Sequence, residues 1–218
     1  MLFQSLSIAA LIAALPTSFA LPEVTIEALP ADCSSYPQYN KQSAIAGPWI
    51  VQLRDSDNAA LEGYGDSVVE SYTTDPATGR AVMSSGRVTI VSNNMFAKQP
   101  LQCSEGRLRI RTATALDSTG KPTNIDWTPL SVGPYNFDAG LRYLAEEDDA
   151  PTLYQHYING TKQDGYYLGG FNTSTWGVRW QKSEGPVSYN QPYYSLRLLP
   201  EGQALKFNET KSFLKIFA

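Results

Sequence analysis

Short apolar segments separated by turn signals recur along most of the chain, and this pattern restricts the fold more than any other feature. Residues 107–112 show it clearly, because Leu108 and Ile110 alternate with three arginines as in a strand with one buried face. Nine such segments predict strands: 49–53, 67–72, 87–91, 107–112, 152–158, 165–168, 176–180, 193–199 and 212–217. The dipeptide Asn159-Gly160, directly after the fifth of them, predicts a tight hairpin turn. Their spacing predicts an all-β protein, an antiparallel β-sandwich or barrel of about nine or more strands.

Helical periodicity is confined to one short segment, so little helix is expected. Residues 139–147 predict a helix with Leu141, Leu144 and Ala145 on one side. Residues 21–43 are rich in proline and polar side chains and show no period, which predicts an extended N-terminal arm. Residues 44–218 show no internal repeat, and we expect them to form a single β domain.

Residues 1–20 predict a cleavable secretory signal. They contain no charged side chain. An apolar stretch over residues 6–15 is followed by Pro16 and by a segment typical of a signal cleavage site, with small residues, that ends at Ala20. The stretch is shorter than the roughly 20 apolar residues that a membrane span requires. We therefore expect no membrane span, and a mature protein that enters the secretory pathway and becomes extracellular.

Two further features agree with the secretory route. Asn159, Asn172 and Asn208 each begin an Asn-x-Ser/Thr glycosylation sequon, and a glycan requires its asparagine to be on the surface. Cys33 and Cys103 are the only cysteines, and in an oxidising compartment such a pair predicts a disulfide. The closed loop is long, so the bridge is expected to contribute roughly 4 kcal/mol in the chain-entropy model.

Charge and motif content exclude several classes of function. The chain has 17 basic and 21 acidic residues, a net charge of −4 and no basic run, so no nucleic-acid partner is expected. His156 is the only histidine, and both cysteines are expected to form the disulfide, so no metal site is expected. Phosphate-binding glycine motifs are absent, and we expect no cofactor. A structural or ligand-lining role for His156 is favoured over a Ser-His-Asp triad, since no nucleophile-elbow motif is present. Hydrolysis by two carboxylates stays open, because the sequence does not say which acidic side chains face each other.

Aromatic side chains are abundant in the C-terminal third, and two interpretations stay open for them. They form either a filled core or the wall of a cavity that holds an apolar small molecule. Alternation along residues 176–180 places the two tryptophans on one face and Arg179 on the other, so only one of these sets can line a cavity. The candidate ligand-binding residues are Trp176, Trp180, Tyr154, Tyr157 and Tyr167, with His156 and Arg179 as hydrogen-bond donors.

The C-terminal third also carries a resemblance. Residues 157–163 read Tyr-Ile-Asn-Gly-Thr-Lys-Gln, and they are followed by Leu-Gly-Gly at 168–170, Trp-Gly at 176–177 and Leu-Leu-Pro-Glu at 198–201. This segment resembles a family of small secreted fungal proteins of unknown function. In size, signal, sequons and aromatic content the chain is also similar to the fungal hetero-Diels–Alderases of tropolonic sesquiterpenoid biosynthesis. That resemblance implies a cofactor-independent cycloaddition, in which proximity lowers the barrier by several kcal/mol and a hydrogen bond to the heterodiene oxygen assists.

Three functions stay open at this point. The first is a carrier of an apolar small molecule, or a pericyclase such as a hetero-Diels–Alderase in polyketide–terpenoid secondary metabolism, with an enclosed aromatic cavity. The second is a non-enzymatic secreted effector or cell-wall-binding protein, with a filled core and an exposed patch for a protein partner. The third is a glycan-binding or glycan-cleaving β-sandwich, with exposed tryptophan beside carboxylates.

Overall fold

The computed structural model describes residues 20–92, 99–119, 121–133, 139–144, 149–182 and 192–218. These residues form 14 β-strands, and the helical structure among them is the single 3₁₀ turn Ala59–Leu61. The strands are β1 (Thr25–Ala28), β2 (Ala46–Arg54), β3 (Gly65–Thr74), β4 (Ala81–Val91), β5 (Leu101–Ser104), β6 (Arg107–Leu116), β7 (Pro122–Gly133), β8 (Gly140–Tyr143), β9 (Thr152–Ile158), β10 (Thr161–Lys162), β11 (Tyr167–Gly169), β12 (Thr175–Gln181), β13 (Tyr193–Leu198) and β14 (Glu209–Phe217). The prediction of an all-β protein with little helix is confirmed.

Nine of these strands close into an antiparallel barrel, which is one of the two architectures that the sequence left open. Each strand is hydrogen-bonded to the next in the order β2, β5, β6, β7, β8, β4, β13, β12 and β14, and β14 pairs back with β2. Strand β3 forms a hairpin with β4 and meets β2 where Gly65 pairs with Gln52. From β14 the sheet continues outward through β11 and β9 to β1, and β10 also pairs with β9.

Strand β4 joins the part of the barrel formed by β6, β7 and β8 to the part formed by β12, β13 and β14. One of its edges pairs with β3 along its whole length. The other edge pairs in succession with three strands: residues 81–82 with β6, residues 86–87 with β8 and residues 89–90 with β13. One long strand therefore contributes to both sides of the barrel.

Apolar side chains fill the interior, and strand alternation determines which of them do so. On β6, Leu108 and Ile110 are buried whereas Arg107 and Arg111 are exposed, so the period-2 prediction for this strand is confirmed. Gly86 of β4 lies under the ring of Tyr143, because a Cβ at Gly86 would be 1.9 Å from the ring Cζ. Only glycine fits this position without displacing a buried ring.

The N-terminal arm is fixed to the barrel by a disulfide and by a strand. Cys33 and Cys103 are bonded, with 5.6 Å between their Cα atoms, which confirms the predicted bridge. Beside it, the Trp49 Nε1–H donates to the Pro37 carbonyl at 3.2 Å, and Tyr36 packs on Trp49 with 6.0 Å between ring centroids. Residues 25–28 of the arm form β1, which pairs with β9.

One local prediction from the sequence is confirmed and another is wrong. Asn159 and Gly160 form the tight turn between β9 and β10, with the left-handed φ values of 50° and 75° that a type I′ turn requires. The helix predicted at residues 139–147 is wrong, because Gly140–Tyr143 is strand β8. Hydrogen bonds to β7 and β4 on its two sides stabilise this segment as a strand. Residues 145–147 lie outside the described residues.

Within the described ranges, no helix has the length and apolar character needed to cross a bilayer. The predicted signal, apart from Ala20, lies outside those ranges.

Candidate functional site

A polar cleft with a volume of about 390 Å³ lies on the outer face of the barrel, where β4 meets β8 and β13. Strand alternation explains its character. Val178 turns into the core, whereas Arg179, its neighbour in sequence, lines the cleft. The charged side chains of the cleft are Arg87, Arg142, Arg179, Arg197, Lys206 and Glu209.

The register of the sheet brings these side chains together. Arg179 on β12 is opposite Ser195 on β13, and Ser195 is opposite Thr89 on β4. Arg87 on β4 is opposite Arg142 on β8. Residues directly opposite each other have Cβ atoms roughly 4.5–5.5 Å apart and project from the same face. Arg87 and Arg142 are therefore neighbours across the β4–β8 pair. Beside them, Thr89, Ser195 and Arg179 form a row across β4, β13 and β12.

A buried ion pair forms one end of the cleft. The Arg197 guanidinium binds Glu209 with two groups: Nε donates to Oε1 at 2.9 Å, and Nη2 donates to Oε2. The Lys206 backbone N–H donates to the same Oε2 at 2.8 Å. Burial raises the pKa of Glu209, but the hydrogen bonds from Arg197 and Lys206 outweigh it, and the pKa lies below its ordinary value. Gly177 leaves the necessary space, since a Cβ there would be 2.4 Å from Glu209 Oε1.

Some polar groups of the cleft have no protein partner among the described residues, and others are held in place by one. Among the described residues, Arg87 and Arg142 have no acidic partner. The Arg142 Nε and the Thr89 Oγ1 are buried without a hydrogen bond, a condition that costs about 1–3 kcal/mol per group. Arg179 is held in place by Gln181, whose amide oxygen accepts from Arg179 Nε at 3.0 Å and Nη2 at 3.2 Å in its favoured orientation.

The net charge of the cleft lining is opposite in sign to that of the whole chain. The described residues of its lining include five cationic side chains and one carboxylate, a net charge of +4, whereas the chain has a formal net charge of −4. Cationic groups collected in a concave, partly enclosed site raise the local concentration of anions. The cleft is therefore suited to a negatively charged molecule.

Four of the candidate residues from the sequence lie in the core, namely three aromatic wall candidates and the donor candidate His156. His156 stacks on Tyr167 with 3.6 Å between ring centroids, and Phe213 contacts both rings edge-on. Trp176 is fully buried, and its Nε1–H donates to the Leu168 carbonyl at 2.7 Å. Tyr154 is also buried, and its hydroxyl accepts from the Asn172 backbone N–H at 3.1 Å.

His156 also contacts a serine, but the pair does not form an accessible catalytic site. The His156 Nε2 lies 2.7 Å from the Ser174 Oγ. The exposed fractions of the two residues are 1% and 2%, so a substrate has no access to them. Burial lowers the pKa of His156 to about 4, which makes the neutral ring the form present at physiological pH. The contact stabilises the packing of β9 against the segment before β12.

The remaining candidates are separate from this cluster. Tyr157 is half-buried and its hydroxyl donates to Glu27 Oε2 at 2.7 Å, which links β9 to β1. Trp180 is 52% exposed near the end of β12, and Arg179 lines the cleft. The structure thus gathers His156, Tyr154, Tyr167 and Trp176 in the core and places Arg179 alone at the polar site. The sequon asparagines Asn159, Asn172 and Asn208 are all exposed, as a glycan requires.

Sequence reasoning missed most of the cleft. The sequence indicates which side chains share one face of a strand, but not which strand that face meets. The cleft residues on such faces are Arg87, Arg142, Arg197 and Thr89. Nothing in the pattern says that β4 has β8 and β13 as neighbours. One local signal did indicate a buried charge. Arg197 lies between two leucines at the buried end of its strand.

Across the described part of the chain, no three side chains of His, Cys, Asp or Glu come together as a metal ion would require. The fold and the site together define a class, that of a small disulfide-bonded β-barrel with an external cationic cleft. A comparison with protein-family models found no match for this chain, and a comparison with curated proteins found no significant similarity.

Proposed function

We propose that this protein binds a small anionic molecule in the outer cleft. The observation that carries the proposal is the cleft's net charge of +4, with two arginines that lack an acidic partner among the described residues. A guanidinium offers parallel N–H donors that match the geometry of carboxylate, sulfate and phosphate oxygens.

Repulsion inside the cleft supports the same proposal. Arg87 and Arg142 are directly opposite each other on β4 and β8, and like charges at such positions destabilise a sheet. A bound anion removes this repulsion and replaces it with charge-assisted hydrogen bonds. Ligand binding is therefore expected to stabilise the fold as well as to fill the cleft.

Calorimetric titration tests this function with citrate, a carboxylate-rich probe, in a low-salt buffer. We expect Arg142→Gln and Arg179→Gln each to weaken binding about tenfold or more, because hydrogen bonds to charged groups contribute roughly 1.5–3 kcal/mol. Arg107→Gln is the matched control, since Arg107 is exposed on β6 and lies outside the cleft. Added salt should weaken binding to the native protein by screening.

Two outcomes would contradict the proposal. One is the absence of measurable citrate binding by the native protein in low salt. The other is binding that Arg107→Gln weakens as much as the two cleft substitutions do.

We also propose that the mature protein passes through the secretory pathway and is glycosylated. The disulfide, the exposed sequon asparagines and the signal pattern of residues 1–20 support this. Expression of the full chain in a eukaryotic host should give secreted protein that begins at Leu21 and loses mass on treatment with N-glycosidase. Intracellular, unglycosylated protein that retains Met1 would contradict the proposal.

The apolar-ligand hypothesis, with a hetero-Diels–Alderase as its enzymatic form, stays a prediction. Of its candidate residues, Arg179 is the one that lines the cleft, and four of the others pack in the core. Deletion of the gene in the native host tests it: a joined polyketide–terpenoid product should disappear while its unjoined halves accumulate. An unchanged metabolite profile would contradict it and leave the non-enzymatic effector or glycan-binding alternatives.

A further inference from the structure

We infer that the anion is an acidic saccharide, a sugar that carries a carboxylate or sulfate group. This inference rests on the proposed anion-binding function and specifies its ligand. The cleft volume of about 390 Å³ corresponds to about 13 water molecules at ~30 Å³ each. A single inorganic anion would leave most of that space to solvent. The other residues that line the cleft therefore indicate what kind of larger ligand it holds.

That lining is rich in hydroxyl groups. Ser71 and Ser85 are opposite each other on the β3–β4 hairpin, and Tyr193 lines the cleft from β13. Their side-chain oxygens have no hydrogen-bond partner among the described residues, and the Thr89 Oγ1 nearby is buried and unsatisfied. The hydroxyl wall, defined as Ser71, Ser85 and Tyr193, is therefore available to a ligand.

Hydroxyls and guanidinium groups select different chemistry. A guanidinium only donates hydrogen bonds, whereas a serine, threonine or tyrosine hydroxyl both donates and accepts. A bare anion offers acceptors alone and leaves the acceptor capacity of the hydroxyl wall unused. A sugar ring with an acidic group satisfies both sides, because its hydroxyls donate and accept while its anionic oxygens accept from arginine.

The spacing along β4 fits one such ring. Ser85 and Arg87 are two residues apart on this strand and project from the same face, which separates them by about 7 Å. That distance is comparable to the length of a sugar ring with its carboxyl group. We place the acidic group between Arg87 and Arg142, which are directly opposite each other on β4 and β8, and the ring hydroxyls toward Ser71 and Ser85.

Titration calorimetry with three matched probes tests the inference. The probes are trigalacturonate, which is acidic and saccharide, maltotriose, which is a neutral saccharide, and citrate, which is acidic without a sugar ring. We expect trigalacturonate to bind at least about tenfold more tightly than either of the others, because only this probe uses both walls of the cleft.

Substitutions separate the two contributions. The double variant Ser71→Ala with Ser85→Ala should weaken trigalacturonate binding about fivefold or more and leave citrate binding unchanged, since it removes neutral hydrogen bonds only. Arg142→Gln should weaken both. Ser118→Ala, an exposed serine outside the cleft, is the control. The two serines of the double variant are exposed, and circular dichroism verifies that it folds.

The outcomes distinguish the two proposals. Equal affinity for trigalacturonate and citrate, or an unchanged trigalacturonate affinity in the serine double variant, overturns the saccharide inference and leaves anion binding in place. Failure of every anionic probe to bind overturns both.

Discussion

His156 makes the stability of this protein depend on pH, because its neutral ring is packed between Tyr167 and Phe213 and contacts Ser174. Burial lowers the pKa of His156 from an ordinary value of 6.5 to about 4. Between these values the unfolded chain binds a proton that the folded chain does not, so the free energy of unfolding rises with pH. The contribution is fully present above pH 6.5 and is lost as the pH falls to about 4.

The expected loss of unfolding free energy across that window is about 3 kcal/mol, because a tenfold change in proton affinity corresponds to about 1.4 kcal/mol. Urea unfolding at a series of pH values measures it. The double variant His156→Phe with Ser174→Ala keeps an aromatic ring against Tyr167 and removes the titrating group. Its unfolding free energy should lose this part of the pH dependence. An unchanged slope between pH 4 and 6.5 would show that another group is responsible.

Glu209 is the second residue whose substitution should be costly, because the change removes the buried carboxylate that accepts two hydrogen bonds from the Arg197 guanidinium. Arg197 and Glu209 are 7% and 9% exposed. Removal of one member of such a pair destabilises by about 3–5 kcal/mol, so Glu209→Gln should lower the free energy of unfolding by that amount. The measurement is urea denaturation at neutral pH.

Glu62→Gln is the matched control for that measurement. Glu62 forms the ion pair with Arg54 at 3.1 Å, but both side chains are 37% exposed. Exposed pairs contribute about 0–1 kcal/mol. Similar losses in Glu209→Gln and Glu62→Gln would mean that burial gives the Arg197–Glu209 pair no special weight in the stability of the fold.

Among the elements, the N-terminal arm depends most on a covalent link. The Cys33–Cys103 bridge spans a sequence separation of 70, and a loop of that length is worth about 4 kcal/mol in the chain-entropy model. Replacement of both cysteines with alanine should lower the free energy of unfolding by that amount, measured by urea denaturation. Amides of the arm, including β1, should lose protection from hydrogen exchange before those of β9. Undiminished protection of β1 would show that its pairing with β9 alone fixes the arm.

The elements that sequence reasoning predicted are those whose signals are local. The Asn159–Gly160 turn and the alternation on β6 each depend on a few consecutive residues, and both are as expected. Strand β8 has only four residues, so its conformation depends on β7 and β4 rather than on its own pattern. For the same reason the cleft was not foreseen, because pairing between Arg87 and Arg142 joins distant segments whose register only the folded sheet defines.

At the scale of the whole molecule, shared pairing along β4 should make the barrel unfold as one cooperative unit. One side of the ring contains β6, β7 and β8 and the other contains β12, β13 and β14, and β4 pairs with strands of both. Native-state hydrogen exchange at increasing urea should give the same limiting free energy for β6 and for β13. Distinct values for the two strands would show that the sides open independently.

Strand β4 also restricts how the length of this chain can change in its descendants. A single-residue insertion between residues 82 and 89 would turn every later side chain of that strand to the opposite face, so the pairings of β4 with β6 and with β13 could not both keep their register. None of the described strands includes the turn at residues 75–79, which is largely exposed. Inherited insertions and deletions in this region should therefore collect at the turn, and β4 should keep its length while its outward-facing residues diverge.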